Sequence, residues 1–283
     1  MIRLLSDSTC DLSAELIERY SVEIMPLDII MDGKAYKDGI EVTQQEIFDW
    51  SDRTKQTPKT AVFSVDMIKR KFRSCLEQGD EVICFGISES MSASVSVMRM
   101  AVQELKAEDR IHVIDSANLS TGVGLLICAA GDMIAEGLSA GEIVEKIEAL
   151  KPAVRASFVV DTMTFLHRGG RCGGLTALMG AALKIHPEIE VKNGKMQPRK
   201  KYRGAMHHVL MQYTEDLIPA LGKALPRRVF ITHSICPDEW VREIRDRIEA
   251  LGIFEEVLET VAGCVVSSHC GPRTLGILFI DGE

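Results

Sequence analysis

Apolar runs of strand length alternate with stretches of helical period through the first half of the chain. "IRLLS" (2–6), "EVICFGI" (81–87) and "RIHVID" (110–115) are short, rich in Ile, Val and Leu, and bounded by polar clusters, the pattern of buried strands. Each precedes a helical stretch: "SAELIERY" (13–20), "SVMRMAVQELKAE" (96–108) and "TGVGLLICAAGDMIAEG" (121–137). "TQQE" (43–46) and "SAGE" (139–142) are capping boxes, in which a hydroxyl and a glutamate satisfy each other's backbone N–H groups, and they start two more helices. Strand–helix alternation of this kind predicts a mostly parallel sheet flanked by helices.

The rhythm changes after about residue 155. "RASFVVDT" (155–162) reads as a strand, "GGLTALMGAALK" (173–184) as a short helix, and "PEIEVKNGKMQPRKKYR" (187–203) as a hairpin turning at Asn193-Gly194. A long helix from Gly204, the strand "RRVFITHS" (227–234), the helix "DEWVREIRDRIEALG" (238–252) and a last strand "TLGILFID" (274–281) complete the chain. The expectation is an α/β protein of two domains. Residues 1–155 carry the mostly parallel sheet and residues 156–283 a mixed sheet.

"CFGISESMSASVSVMRM" (84–100) departs from these patterns. Ser88, Ser90, Ser92, Ser94 and Ser96 alternate strictly, as in a half-buried strand, yet Glu89, Met91, Ala93 and Val95 make a poor strand face. Between a strand and a helix start, the stretch reads better as a loop. Similar polar clusters follow other strands: "SDSTCDLS" (6–13), "DSANLSTG" (115–122) and "HSICPDE" (233–239), while "SSHCGPRTLG" (267–276) precedes the last one. Ligands of open α/β sheets bind at the carboxyl ends of strands. Helix N-termini and hydroxyls there favour an anion. Any single cluster is better explained by helix capping than by a site. Gathered at one sheet edge, they predict a pocket.

Composition removes several classes. The 283 residues, 46% of them hydrophobic, supply a sizeable core, and a net charge of -8 argues against a general nucleic-acid binder. "MIRLLSDSTCDL" has no leader pattern and no apolar run is long enough to span a bilayer, so a cytoplasmic protein without an integral membrane segment is expected. Eight scattered cysteines without a C-x-x-C pair read as buried thiols rather than disulfides, and His269-Cys270 lacks a second spaced pair for zinc. There is no phosphate loop, and "GISES" is no nucleophile elbow. A hydrolase triad from a serine, His269 or His233, and Asp115 stays open. "FLHRGGRCGG" (165–174) offers arginines among glycines, either as a braced turn or as an anion contact, and "PRKKYR" (198–203) is the single basic run, a solvated strand or a docking patch.

Taken in order, "SDSTCDL", "PKTA", "ISESMSAS", "VIDSANLSTGVG", "FVVDTMTFLHRGGR", "KKYRG" and "SSHCGPRTLGI" resemble the DegV family over nearly the whole chain. The resemblance implies a non-catalytic protein that holds one long-chain fatty acid, with no cofactor, in a tunnel between two α/β domains. Its carboxyl group would be presented to a separate fatty acid kinase, a partner in phospholipid synthesis. By motif, the carboxylate-binding residues fall on Thr60, Ser92 and His269, with Ser8, Ser120, Arg171, Arg203 and Arg273 in supporting or interface positions. Hydroxyls and an imidazole would hold the carboxylate without a bidentate arginine pair, leaving it nucleophilic. A sixteen-carbon tail of about 14 methylenes would contribute roughly 11 kcal/mol gross at ~0.8 kcal/mol each. Met91, Met98, Met100, Met163 and Met179 would suit an adaptable tunnel wall or serve as core filler. Three departures stand out: Thr60-Ala61-Val62-Phe63-Ser64 replaces T-S-Q-P-S, Ser92-Ala93-Ser94 replaces S-G-T, and Gly271-Pro272-Arg273 replaces G-P-G. The alternatives are a small Ser/His hydrolase and a lipid sensor without a kinase.

Overall fold

A computed structural model describes residues 1–171 and 185–282. The first half of the chain contributes β1 (Ile2–Asp7), α1 (Ala14–Arg19), β2 (Glu23–Met25), β3 (Asp28–Met31), β4 (Lys34–Lys37), α2 (Gln44–Thr54), β5 (Lys59–Ala61), α3 (Val65–Glu77), β6 (Glu81–Gly86), α4 (Ser94–Leu105), β7 (Ile111–Asp115), α5 (Thr121–Ala135) and α6 (Ala140–Leu150). The second contributes β8 (Val154–Val159), α7 (Thr164–Arg168), β9 (Ile185–Lys192), β10 (Lys195–Arg203), α8 (Met206–Leu221), β11 (Ala224–Ser234), α9 (Asp238–Glu249), β12 (Glu256–Val261), α10 (Cys264–Cys270) and β13 (Thr274–Asp281).

The first sheet is parallel, in the order β2-β1-β6-β7. The second is mixed, in the order β10-β9-β8-β13-β11-β12, with β11 and β12 its parallel pair. This is the α/β architecture the alternation predicts. Both capping boxes form, at Thr43 with Glu46 and at Ser139 with Glu142. Asn193 and Gly194 both take positive φ, at 50° and 75°, as a type I′ hairpin requires. The helix expected over 173–184 lies outside the described residues.

One sheet was not legible. β4-β3-β5 form a small antiparallel sheet, and its strands "KAYK" and "KTA" are too short and too polar to give a period-2 signal. The polar stretch at 267–270 also proves to be the end of a helix, α10.

The apolar run in α5 explains how the halves meet. A helix that is hydrophobic all round must be buried on all sides. It packs on β1 and β6 with one flank and on β8 and β13 with the other. Leu4, Ile83 and Phe85 of the first sheet and Phe230, Leu278 and Ile280 of the second share one core around it. Gly131 permits this packing, because a Cβ there would lie 2.1 Å from the Tyr20 ring.

Candidate functional site

A cavity of about 310 Å³ opens where the carboxyl ends of β1, β6 and β7 face α10 and the second sheet. That is at the lower end of the ~300–1,000 Å³ span of small-molecule pockets. Its walls are mainly apolar, with Val62, Leu119, Phe158, Leu166, Val266 and Leu278 among them. Polar groups also line it, among them Thr9, Ser120, Thr232 and Thr274. Thr60, Ser92, Arg171 and His269 all line the cavity, and they come from β5, the loop before α4, the end of α7 and the last turn of α10.

Thr60 Oγ1 lies 3.0 Å from His269 Nε2. Burial, reinforced by the Arg171 charge, drives the His269 pKa down to about 4, so the imidazole is neutral at pH 7. Its Nδ1 is buried without a hydrogen-bond partner and faces Gly169, where a Cβ would stand 2.3 Å away. A bare buried lone pair costs less than a bare buried N–H. The proton therefore belongs on Nε2, donating to Thr60 Oγ1. That leaves the Thr60 hydroxyl hydrogen free to donate into the cavity.

Ser92 sits in the loop that the alternating serines form. Its Oγ pairs with Ser94 Oγ at 2.9 Å and accepts the Ser94 N–H, and as a rotor it can be redirected to a ligand. Arg171 is braced by carbonyls: its Nη1 donates to Gly169 O (2.8 Å) and its Nε to Met91 O (3.3 Å). Ser120 also lines the cavity, with its hydroxyl donating to Asp11.

The other supporting residues lie elsewhere. Ser8 is not on the cavity wall; its Oγ donates to Asp38 Oδ2 (2.7 Å) and accepts the Leu27 N–H. Arg203 lines a separate, open groove with Lys200, Lys201, His207 and Arg247. Arg273, with φ 58°, turns away and pairs with Asp161, its Nε donating at 2.9 Å. The extra cation is thus neutralised at the surface. Among the methionines, Met91 lines the cavity and Met98 is core beneath the first sheet. Met163 packs on a core cluster beside the cavity, Met100 is exposed, and Met179 lies outside the described residues.

Three buried carboxylates escaped the sequence reading. Asp7 accepts from Thr9 and from the Ile87 N–H, Asp11 from Ser120 and the Gly263 N–H, and Asp38 from Ser8 and the Cys264 N–H. Asp11 and Asp38 thereby tie the start of α10 to the first half of the chain. Burial raises all three, Asp11 to about 8. "SDSTCDL" carries two of them, but nothing in the sequence says they point inward. Among the described residues, no cluster of three or more His, Cys, Asp or Glu is placed to hold a metal. No described helix is long and apolar enough to cross a membrane.

A family profile described as "Uncharacterised protein, DegV family" matches residues 1–282. The chain belongs to the DegV family. A DegV domain-containing protein of Clostridium perfringens is 30% identical over 281 residues, covering 99% of this chain and 98% of its own. A fatty-acid-binding DegV protein from Thermus thermophilus superposes with a TM-score of 0.88 at 31% identity, over 99% of both chains. A stearic-acid-binding protein from Eubacterium ventriosum superposes with a TM-score of 0.86 at 31% identity, over 100% of this chain and 99% of that one. The DegV motifs that carry Thr60, Ser92 and His269 are scattered over more than two hundred residues, and the fold gathers them in one cavity.

Proposed function

We propose that this DegV protein binds a long-chain fatty acid in the cavity, its carboxylate received by Thr60, Ser92 and His269. We propose too that it presents that carboxylate to a separate fatty acid kinase in the cytoplasm. The observation that carries the reading is the Thr60–His269 pair in the wall of a mainly apolar cavity. A buried carboxylate needs donors for its lone pairs or it neutralises. The Thr60 and Ser92 hydroxyls supply them, and the neutral His269 imidazole, donating to Thr60 Oγ1, leaves the Thr60 hydroxyl hydrogen to the ligand, which keeps the anion reactive. The fatty-acid-binding proteins from T. thermophilus and E. ventriosum, each 31% identical, support the ligand class. The kinase role rests on the DegV resemblance and on the basic β10 strand beside an open groove, in a chain of net charge -8.

The triad expected with Asp115 does not form: Asp115 accepts the Ala117 and Glu89 N–H groups rather than orienting a histidine. His269 Nδ1 meets no carboxylate. His233 accepts the Cys236 N–H at Nδ1 and turns Nε2 toward Glu259, 3.6 Å away, leaving neither nitrogen to a serine.

Native mass spectrometry of freshly purified protein, followed by lipid extraction, tests the ligand. A co-purifying long-chain fatty acid is expected. An apo mass that added fatty acids cannot shift would overturn the reading.

A further inference from the structure

The β9–β10 hairpin borders the cavity at Met196, and its tip is held by a side chain rather than by the sheet. β8 pairs with β9 only from Val159↔Glu188 to Ala156↔Val191, so residues 192–195 extend past their strand neighbour. β10 is the outer strand, and its register shifts between Pro198 and Lys200, a point where a strand bends readily. Just beyond the tip, Met196 reaches the cavity and packs on the cluster of Phe158, Leu166 and Ile189.

The tip is nevertheless buried at Gly194, under the serine loop. Ser88, 1% exposed, donates its hydroxyl to Gly194 O at 2.7 Å. A Cβ on Gly194 would lie 2.7 Å from that oxygen, and its φ of +75° strains any other residue. Ser88 also organises the loop that carries the headgroup serine: its carbonyl accepts the Met91 N–H (2.9 Å) and the Ser92 N–H (3.1 Å), and its Oγ accepts the Ser90 N–H. One residue therefore joins the hairpin tip to the place where the carboxylate would be held.

We infer that Ser88 is a positioning residue that latches the β9–β10 hairpin over the cavity and sets the rate of fatty-acid exchange. This rests on the proposed fatty-acid site. Breaking the latch lowers the barrier to opening from both directions, so association and dissociation accelerate together. Loss of an ordinary contact would accelerate dissociation alone.

Stopped-flow exchange of a fluorescent fatty acid on Ser88→Ala, on Gly194→Ala and on the double variant tests it. Each single variant is expected to raise both rates about fivefold, the effect of losing a hydrogen bond worth ~1 kcal/mol. Kd should stay within twofold of wild type, and the double variant should be no faster than either single one. Unchanged rates, or a faster off-rate with a matching loss of affinity, would overturn the latch. Amide hydrogen exchange at residues 192–196 reads the hairpin without ligand and separates the two ideas. Faster exchange there in Ser88→Ala keeps the latch even for a wild-type protein that binds no fatty acid, and unchanged exchange removes it.

Discussion

Under the proposed function the cavity and the β10 groove both meet anions, and they do so with different chemistry. Inside, the Thr60 and Ser92 hydroxyls are neutral donors on a largely apolar wall, with the His269 imidazole kept uncharged by burial and Arg171 the cation on that wall. Outside, Lys200, Lys201, Arg203 and Arg247 stand among Glu215, Asp216 and Glu243, partly paired and open to water. Donors in a desolvated wall hold what they bind, whereas surface charges are screened and tune encounter more than retention. The difference separates holding a ligand from attracting a partner.

The largest effect should come from breaking the buried side. Thr60→Val removes a donor from a desolvated carboxylate and His269→Ala the N–H that orients that donor, a loss of ~1.5–3 kcal/mol, and either should weaken fatty-acid affinity about 10- to 150-fold by calorimetry. Affinity held within twofold in both variants would mean that the carboxylate sits elsewhere. Charge reversal on the outer side, Lys200→Glu with Arg203→Glu, should leave fatty-acid affinity within twofold. The same pair should reduce acyl-phosphate formation by an added kinase about tenfold or more, since like charges facing a partner surface cost several kcal/mol. If fatty-acid affinity falls as well, holding and docking are not separate.

A smaller effect is readable in pH. Asp11 keeps its proton up to about 8 when folded and loses it near 4 when unfolded, so its contribution to stability is present at low pH and is lost as pH rises from about 4 to 8. His269 has the opposite sense: lowered to about 4, it destabilises the fold as pH falls from about 6.5 to 4. Asp11→Asn should therefore gain stability relative to wild type between pH 5 and 8, by at most ~1.4 kcal/mol per pH unit. Parallel melting curves across that window would contradict it. The smallest effect belongs to Arg273, half exposed and paired with Asp161. Arg273→Ala should change stability by no more than ~1 kcal/mol and leave fatty-acid affinity within twofold, because such pairs contribute little in water. A tenfold loss of affinity would put Arg273 back at the headgroup.

Much of the fold was legible because its signals are local. A capping box needs four consecutive residues, the I′ turn needs Asn193-Gly194, and a buried strand announces itself by composition. Strands such as "KTA" were silent because three residues carry no period, yet one of them bears Thr60. The site was legible through its motifs, not its contacts. "GGR" marks Gly169 without revealing that His269 presses against it. Whether Arg273 meets the headgroup or folds outward was not legible, because a charge in a motif does not state its direction.

The sequence by itself determined most of the alternation of strands and helices, the caps, the hairpin turn and the apolar run of α5. Tertiary structure alone decided that Thr60 meets His269 across 209 residues, that Ser88 receives the hairpin tip, and that Arg273 turns outward. The physical reason is range. Backbone preference and capping act within about one helical turn, whereas a cavity exists only after packed layers have fixed which distant side chains share the same unsolvated space.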